Sequence, residues 1–315
     1  MTLESYADLI KAGEVVAFPT ETVYGLGADA LNPLAIRKVF EIKGRPADNP
    51  LIIHLSTREE AFELIQKIPE KARILMDHFW PGPLTLVLPG IARIPDIATA
   101  GLETVALRMP DHPLALELLR LTGPLVAPSA NKSGRPSPTK PEHVREDFGD
   151  DIAVIDGGAT RVGLESTVLD CSQTPWQILR PGAVGPEEIE DVVNVKINSF
   201  EERPPENTDQ PRSPGQKYRH YSPNARVQWM EIINGNTFDQ SDVLYLVHSL
   251  NNVPDKDHII HFQGDLKQMG RQIYDLFRYA DARDYKAVHM QPFSTSQKKT
   301  TQGAALYNRI SKAIG

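Results

Sequence analysis

Four basic residues stand where helices or strands are predicted to end, and their chemistry suits an anionic small molecule. Lys43 and Arg45 flank a glycine at the end of a predicted helix, while Arg108 and Arg180 belong to apolar strands. A Lys point charge beside an Arg fork can grip a polyphosphate, although cations in a last turn also stabilise the helix itself. A guanidinium buried in a strand needs a carboxylate partner, which comes either from the protein or from a ligand.

Residues 128–139 are the segment richest in candidate ligand-binding groups. The segment reads PSANKSGRPSPT and follows a short apolar strand, 125–127. Ligands of α/β proteins bind at strand ends, and hydroxyls with free backbone N–H groups suit phosphate or ribose. The alternative interpretation is a capped turn that binds nothing. Ser129 lacks a Gly-x-Ser-x-Gly context, so we do not expect it to be a covalent nucleophile.

Two common nucleotide-binding motifs do not explain this pattern. The phosphate-binding loop GxxxxGK[ST] is absent. Gly25-Leu26-Gly27-Ala28-Asp29-Ala30 approaches the dinucleotide fingerprint, but a helix is predicted to begin only later, at Asn32-Pro33. Because the fingerprint needs its glycines to open the helix, we interpret the six residues as a glycine turn.

Cysteine and histidine add little evidence for chemistry. Cys171 is the single cysteine, which excludes a disulfide within the chain and a multi-cysteine zinc site. We interpret it as a small buried strand residue. His54 lies in the apolar run 51–55, and a lone strand histidine is more often structural than catalytic.

The charge distribution argues against a nucleic-acid-binding protein. Residues 1–200 carry 19 Lys and Arg against 28 Asp and Glu, and the remaining residues carry 15 against 13. Tight binding to a nucleic-acid backbone needs clustered basic residues. No apolar run approaches the ~18 residues of a membrane helix, and the first residues lack a signal peptide's pattern. We therefore expect a cytoplasmic protein with no membrane partner.

The hydrophobic pattern predicts an α/β fold with two domains. Helices and strands alternate through residues 1–200, which predicts a large domain with a twisted mixed sheet flanked by helices. Within it, 57–60 reads as a capping box ahead of a helix that extends to Ile68. Residues 201–225 are polar and proline-rich, as in a linker. Residues 226–315 predict a smaller C-terminal α/β, Rossmann-like domain with a parallel sheet.

Six ordered motifs together resemble the threonylcarbamoyl-AMP synthase family. They are Pro19–Leu26 (PTETVYGL), Lys43–Pro46 (KGRP), Trp80–Thr85 (WPGPLT), Arg108–Pro110 (RMP), Pro128–Gly134 (PSANKSG) and Glu165–Val168 (ESTV). Ser213-Pro214-Gly215, His220–Pro223 and the final helix resemble the two-domain form of that family. The resemblance implies synthesis of threonylcarbamoyl-adenylate from L-threonine, bicarbonate and ATP, with release of pyrophosphate. It also implies a functional link to a transferase complex that modifies an adenosine of tRNA, without tight tRNA binding by this chain.

The resemblance also implies roles for individual residues. Threonine would be held by Thr22, His54, Arg108, Ala127 and Ser166. ATP would be held by Lys43, Arg45, Asn49, Thr104, Ser129, Asn131, Ser137, Arg180 and Tyr221. Phosphate charge during catalysis would be stabilised by Lys43, Arg45 and Arg180. The residues Tyr218, His220 and Tyr221 would form a lid. Mg²⁺ would arrive with ATP, and no dedicated metal site of the protein is expected.

Two other functions fit parts of the pattern. A non-catalytic RNA-binding module could use the same pocket as a nucleotide grip, although the acidic first region disfavours it. Carbamoyl-adenylate chemistry in a carbamoyltransferase pathway would need zinc-finger and transferase regions that this sequence lacks.

Overall fold

The computed structural model describes residues 1–65, 68–89, 93–200, 220–231 and 237–315. Its helices are α1 (Leu3–Lys11), α2 (Pro33–Lys43), α3 (Glu59–Leu64), α4 (Glu70–Phe79), α5 (Asp96–Thr99), α6 (Pro113–Thr122), α7 (Pro141–Phe148), α8 (Pro186–Val193), α9 (Leu266–Ala282), α10 (Thr295–Lys299) and α11 (Thr301–Ile314). Its strands are β1 (Val16–Phe18), β2 (Gly25–Asp29), β3 (Ile52–His54), β4 (Leu84–Pro89), β5 (Thr104–Arg108), β6 (Leu125–Val126), β7 (Ala153–Val154), β8 (Thr167–Asp170), β9 (Gln177–Arg180), β10 (Arg226–Trp229), β11 (Val243–Val247), β12 (Ile259–His261) and β13 (Ala287–Met290). None of the helices in these ranges has the length and apolar character needed to cross a bilayer.

A large mixed sheet organises the first part of the chain. Its strands lie in the order β7-β1-β2-β6-β3-β5-β4-β8-β9. The pairs β1/β7, β3/β5 and β4/β8 are parallel, and the other neighbours are antiparallel. Buried apolar residues from α2, α4 and α8 pack with residues of the sheet in one continuous core. The predicted α/β class with a mixed sheet is confirmed.

Strand β2 corrects one prediction from the sequence. Gly25–Ala30 was expected to form a glycine turn, but Gly25–Asp29 is a strand between β1 and β6. A β-carbon at Gly27 would lie 2.7 Å from Cε1 of Phe18, and one at Gly25 would lie 3.1 Å from Cβ of Ala127. Because glycine has no side chain, the Phe18 ring can pack directly on this strand. For the same reason β2 lacks the apolar residues by which a strand is predicted from sequence.

Helix α2 begins where the sequence predicts and delivers a cation to the sheet. The Asn32 side chain accepts hydrogen bonds from the N–H groups of Leu34 and Ala35, and Pro33 occupies the first turn. The helix ends at Lys43, because Gly44 adopts a left-handed conformation with φ of 60°.

Helix α3 is shorter than predicted, and its predicted capping box forms only in part. The helix ends at Leu64, and its N-cap is Arg58, which makes no side-chain capping bond. The Glu60 carboxylate accepts hydrogen bonds from the N–H groups of Ser56 and Thr57, and the bond from Thr57 is one of the two that a box over 57–60 requires. The chain leaves the helix before Ile68, which is nevertheless buried in the core.

The C-terminal region contains a four-stranded sheet in the order β10-β13-β11-β12. Its paired strands are all parallel, as predicted. Buried residues of α9 and α11 pack against β10, β11 and β13 in a second apolar core. The predicted smaller α/β domain is thus confirmed as a fold, and the boundary at 201–225 falls mostly outside the described residues.

Charged pairs join the two regions through α7 and α9. Arg278 of α9 donates to both carboxylate oxygens of Asp147 at 3.0 Å and to the carbonyl of Pro136 at 2.6 Å. Asp275 of α9 accepts from Lys140 at 2.7 Å and lies 2.9 Å from Nε2 of His143. Arg278 and Asp147 are buried, so this contact holds the regions in a defined orientation.

Candidate active site

Most of the predicted site residues face one cleft over the large sheet. The cleft contains about 780 Å³ of empty space, part of which is open to solvent. Because part of this space is open to solvent, a small ligand can reach the residues that line the cleft. Twelve predicted residues line it: Thr22, Lys43, Arg45, His54, Arg108, Ala127, Ser129, Asn131, Ser166, Arg180, His220 and Tyr221.

Sheet topology explains why distant residues meet here. Alternate residues of a strand face the same side, so Ile52 and His54 of β3 both line the cleft. Strand β5 runs parallel to β3 and sets Arg108 opposite His54. Strand β9 runs antiparallel to β8, which brings Arg180 opposite Val168 and close to Ser166.

Lys43 is held inside the cleft by main-chain oxygens. Its Nζ donates to the carbonyl of Ser129 at 2.5 Å and to that of Asn131 at 2.6 Å. Burial, reinforced by the nearby Arg45 guanidinium, lowers the pKa of Lys43 to about 7. Within the described ranges no acidic side chain forms an ion pair with Nζ. An anionic ligand would restore the charged form, so the ammonium is placed to receive one.

Arg108 has a carboxylate partner from the protein, Glu21. Its Nη2 lies 2.7 Å from Oε1 of Glu21, and both side chains are buried. The contact is an ion pair, and within the described part of the chain neither atom has a further hydrogen-bond partner. Nε of Arg108 donates to the carbonyl of Gly82 at 3.2 Å. A carboxylate-bearing ligand would therefore meet a guanidinium that is fixed in place but still has a donor to offer.

Ser166 and Arg180 form a second part of the wall. Arg180 donates from Nε to the Ser166 carbonyl and from Nη2 to the Ser166 hydroxyl, both at 3.1 Å. The same hydroxyl lies 2.7 Å from that of Thr85. Burial lowers the pKa of Arg180, which still remains a cation because its ordinary value is so high.

Glu165 is a wall residue that the sequence analysis did not assign to the site. Its carboxylate accepts from Arg309 at 2.7 Å, from Tyr274 at 2.9 Å and from Ser137 at 2.5 Å. Burial alone would raise the pKa of Glu165, but Arg309 and Arg180 hold it at about 2. The available signal was an acidic residue directly before Ser166 in a motif otherwise surrounded by cations.

Several buried polar atoms near the cleft lack hydrogen-bond partners within the described chain. They are Nδ1 of His54, Nε2 of His220, Oδ1 of Asn131 and the two atoms of the Glu21–Arg108 pair. Burial lowers the pKa of both His54 and His220 to about 3, so each ring is neutral near pH 7. Buried polar groups are nearly always paired in native proteins, so these atoms are suited to hydrogen bonds with water or with a polar ligand.

Three of the predicted residues that the structure describes do not line the cleft. Asn49 is fully buried, and neither of its side-chain amide atoms has a hydrogen-bond partner among the described residues. Thr104 lies at the start of β5, opposite Pro89. Ser137 is buried behind the wall, where it donates to Glu165. Tyr218 lies outside the described residues, so the predicted lid is represented here by His220 and Tyr221.

Comparisons with known proteins agree with this geometry. Residues 8–182 match the Sua5/YciO/YrdC family model, described as "Telomere recombination", and residues 184–315 match the model for the C-terminal domain of threonylcarbamoyl-AMP synthase. Threonylcarbamoyl-AMP synthase of Pyrococcus abyssi is 41% identical over 98% of this chain and 93% of its own length. The Bacillus subtilis enzyme of the same name is 43% identical over 96% of this chain and 82% of its own length.

Solved structures give the same result. The crystal structure of P. abyssi Sua5 complexed with L-threonine superposes with a TM-score of 0.89 at 41% identity, over 99% of this chain and 94% of that one. Identity above 40% along both regions goes beyond a shared fold. This chain therefore belongs to the threonylcarbamoyl-AMP synthase family.

Proposed function

We propose that this cleft condenses L-threonine, bicarbonate and ATP into threonylcarbamoyl-adenylate and pyrophosphate. The observation that carries the proposal is the convergence of Lys43, Arg45, Arg108 and Arg180 on one cleft in an acidic protein. Such a cleft concentrates anions of small size. Family membership and the similarity to a threonine-bound relative support the choice of substrates.

In the first step the threonine amine attacks the carbon of bicarbonate, and loss of water leaves a carbamate. Arg108 binds the carboxylate of threonine in this proposal, because it lines the cleft and its position is fixed by Glu21 and Gly82. Ser166 and Thr22, which both line the cleft, offer hydroxyl groups to the amino acid. A closed site protects the carbamate, which is unstable in water.

In the second step a carbamate oxygen attacks the α-phosphorus of ATP. The bond between that phosphorus and the oxygen bridging to the β-phosphate breaks, and pyrophosphate leaves. Lys43, Arg45 and Arg180 stabilise the charge on the phosphates. Positioning and electrostatics suffice for such a transfer, and no covalent nucleophile is required.

Mg²⁺ belongs to this proposal as part of the nucleotide substrate. In the described part of the chain there is no group of three or more His, Cys, Asp or Glu residues that could hold a metal ion. The Glu165 carboxylate in the wall is already bonded to Arg309, Tyr274 and Ser137. In this proposal the cation is held by phosphate oxygens, where it would neutralise charge on the leaving pyrophosphate.

We further propose that the product passes to the tRNA-modifying transferase complex in the cytoplasm, without tight tRNA binding by this chain. The acidic balance of residues 1–200 supports this view, since tight tRNA binding would need a basic surface. A filter-binding assay at low salt would reveal tight tRNA binding and contradict it.

Pyrophosphate release with one substrate omitted at a time tests the function. Release should require ATP, threonine and bicarbonate together. Pyrophosphate release that does not depend on threonine would contradict the proposal and would favour carbamoyl-adenylate chemistry instead. Salt-sensitive RNA binding without any turnover would favour the RNA-binding alternative.

A further inference from the structure

The second region contributes two buried side chains that contact Glu165, a residue of the cleft wall. Arg309 of α11 and Tyr274 of α9 both donate to the Glu165 carboxylate, at 2.7 and 2.9 Å. Arg309 is fully buried, and Glu165 is 6% exposed. The pair is therefore shielded from solvent and directly adjoins Ser166, which lines the cleft.

The same two side chains also hold the predicted lid residue Tyr221. Its ring stacks on that of Tyr274 with centroids 5.4 Å apart, and the Arg309 guanidinium lies 5.6 Å from its centroid. Tyr221 has a φ of 65°, a left-handed conformation that a bulky residue rarely adopts. Surrounding contacts must impose such a backbone conformation.

We propose that Arg309 and Tyr274 are positioning residues for the reaction. They fix Glu165 in the wall and Tyr221 over the cleft, so that the ATP affinity of the first region depends on the second. The inference rests on the proposed function, since it assigns the affected ligand as ATP. It gives the C-terminal domain a part in building the site, beyond carrying the linker.

Matched variants on one helix separate positioning from mere stability. Tyr274→Phe removes one hydroxyl but keeps the ring that stacks on Tyr221. The control Asp275→Asn, one residue along α9, weakens contacts with His143 of α7 and with Lys140 just before that helix, neither of which lines the cleft. Both variants lose a polar contact between the same two regions.

Steady-state kinetics on the full chain give the first readout. Tyr274→Phe should raise the KM for ATP between about twofold and about thirtyfold, the range expected for residues that couple sites. Asp275→Asn should leave that KM unchanged. Equal effects of the two variants, or an unchanged KM in Tyr274→Phe, would overturn the proposal.

The pH dependence of activity gives a readout that a purely structural role would not move. The groups that face the Glu165 carboxylate are Arg309, Arg180, Tyr274, Ser137, Tyr221 and His220. Without Arg309, burial raises the pKa of Glu165, so the acid limb of activity in Arg309→Gln should move to higher pH. Arg309→Lys, which keeps the charge, should restore part of the shift. An acid limb identical to wild type would contradict the proposal.

Calorimetric measurement of ATP binding in the absence of threonine tests the positioning role separately from the proposed function. Should wild type bind ATP but release no pyrophosphate, the proposed function fails. The positioning role is then judged from the weaker ATP binding expected in Tyr274→Phe alone. If Tyr274→Phe and wild type bind ATP equally, the positioning role fails, whatever the turnover.

Discussion

The low pKa of Lys43 predicts that ATP binding is coupled to uptake of a proton. Burial and the neighbouring Arg45 lower that pKa to about 7 in the free protein. Bound phosphates favour the ammonium form and raise the pKa again. The perturbations are therefore a change of pH between 7 and 9 and the substitution Lys43→Met, which removes the titrating group.

The size of the effect follows from these values. Lys43 is about half protonated at pH 7 and about one-tenth protonated at pH 8. When the bound pKa lies above the assay range, the Kd for ATP should rise about fivefold between pH 7 and 8, and about ninefold more by pH 9. At pH 8 the protein should take up about 0.9 proton per ATP bound. His54 and His220, with pKa values of about 3, stay neutral throughout and add nothing.

Calorimetry in two buffers with different ionisation enthalpies measures this proton number directly. The measurement is best made at pH 8 without threonine. Phosphate groups, whose second pKa is about 6, are already ionised at that pH. Lys43→Met should bind ATP more weakly but with almost no proton uptake. Equal proton numbers in both proteins, or an affinity of wild type that is flat from pH 7 to 9, would refute the assignment of Lys43 to the phosphates.

Three further substitutions test the packing that supports the site. Glu21→Gln should lower the free energy of unfolding by about 3–5 kcal/mol, because it leaves the Arg108 guanidinium buried without its carboxylate. Unfolding in urea measures this free energy. A loss below about 1 kcal/mol would contradict the pairing. Gly27→Ala should cost about 1–3 kcal/mol in the same assay, because a β-carbon would lie 2.7 Å from the Phe18 ring. An unchanged unfolding midpoint would contradict that close contact. Asn32→Ala should cost about 1 kcal/mol through the lost cap of α2 while leaving the KM for ATP unchanged; a changed KM would show that the cap also sets the position of Lys43.

Local sequence patterns predicted much of the fold. The apolar runs of β3, β4 and β5 and the caps of α2 each depend on a few neighbouring residues, so they are visible in the sequence. Strand β2 was not predicted, because its glycines leave no apolar pattern in the sequence. Glycine is needed there because the Phe18 ring of the neighbouring strand β1 packs against these positions. Helix α7 was not predicted, since most of its surface is charged and its apolar signal is short.

The candidate site was predicted from motifs, but its internal pairing was not. The four cations were expected to converge, and the structure places all of them in the cleft wall. The pairing of Arg108 with Glu21 was left open, because sequence alone does not choose between a protein and a ligand carboxylate. Glu165 and Arg309 are 144 residues apart, and nothing local in either segment indicates the other. Ion pairs between residues far apart in the sequence are thus the feature of the site that only the three-dimensional structure reveals.

The fate of labelled bicarbonate tests the proposed chemistry most directly. Carbon-labelled bicarbonate incubated with ATP, Mg²⁺ and threonine should enter a nucleotide product in a one-to-one ratio with released pyrophosphate. The label should be absent from that product when threonine is omitted and greatly reduced in Lys43→Met. Pyrophosphate release without label in the nucleotide, or labelling that does not need threonine, would contradict the proposed reaction.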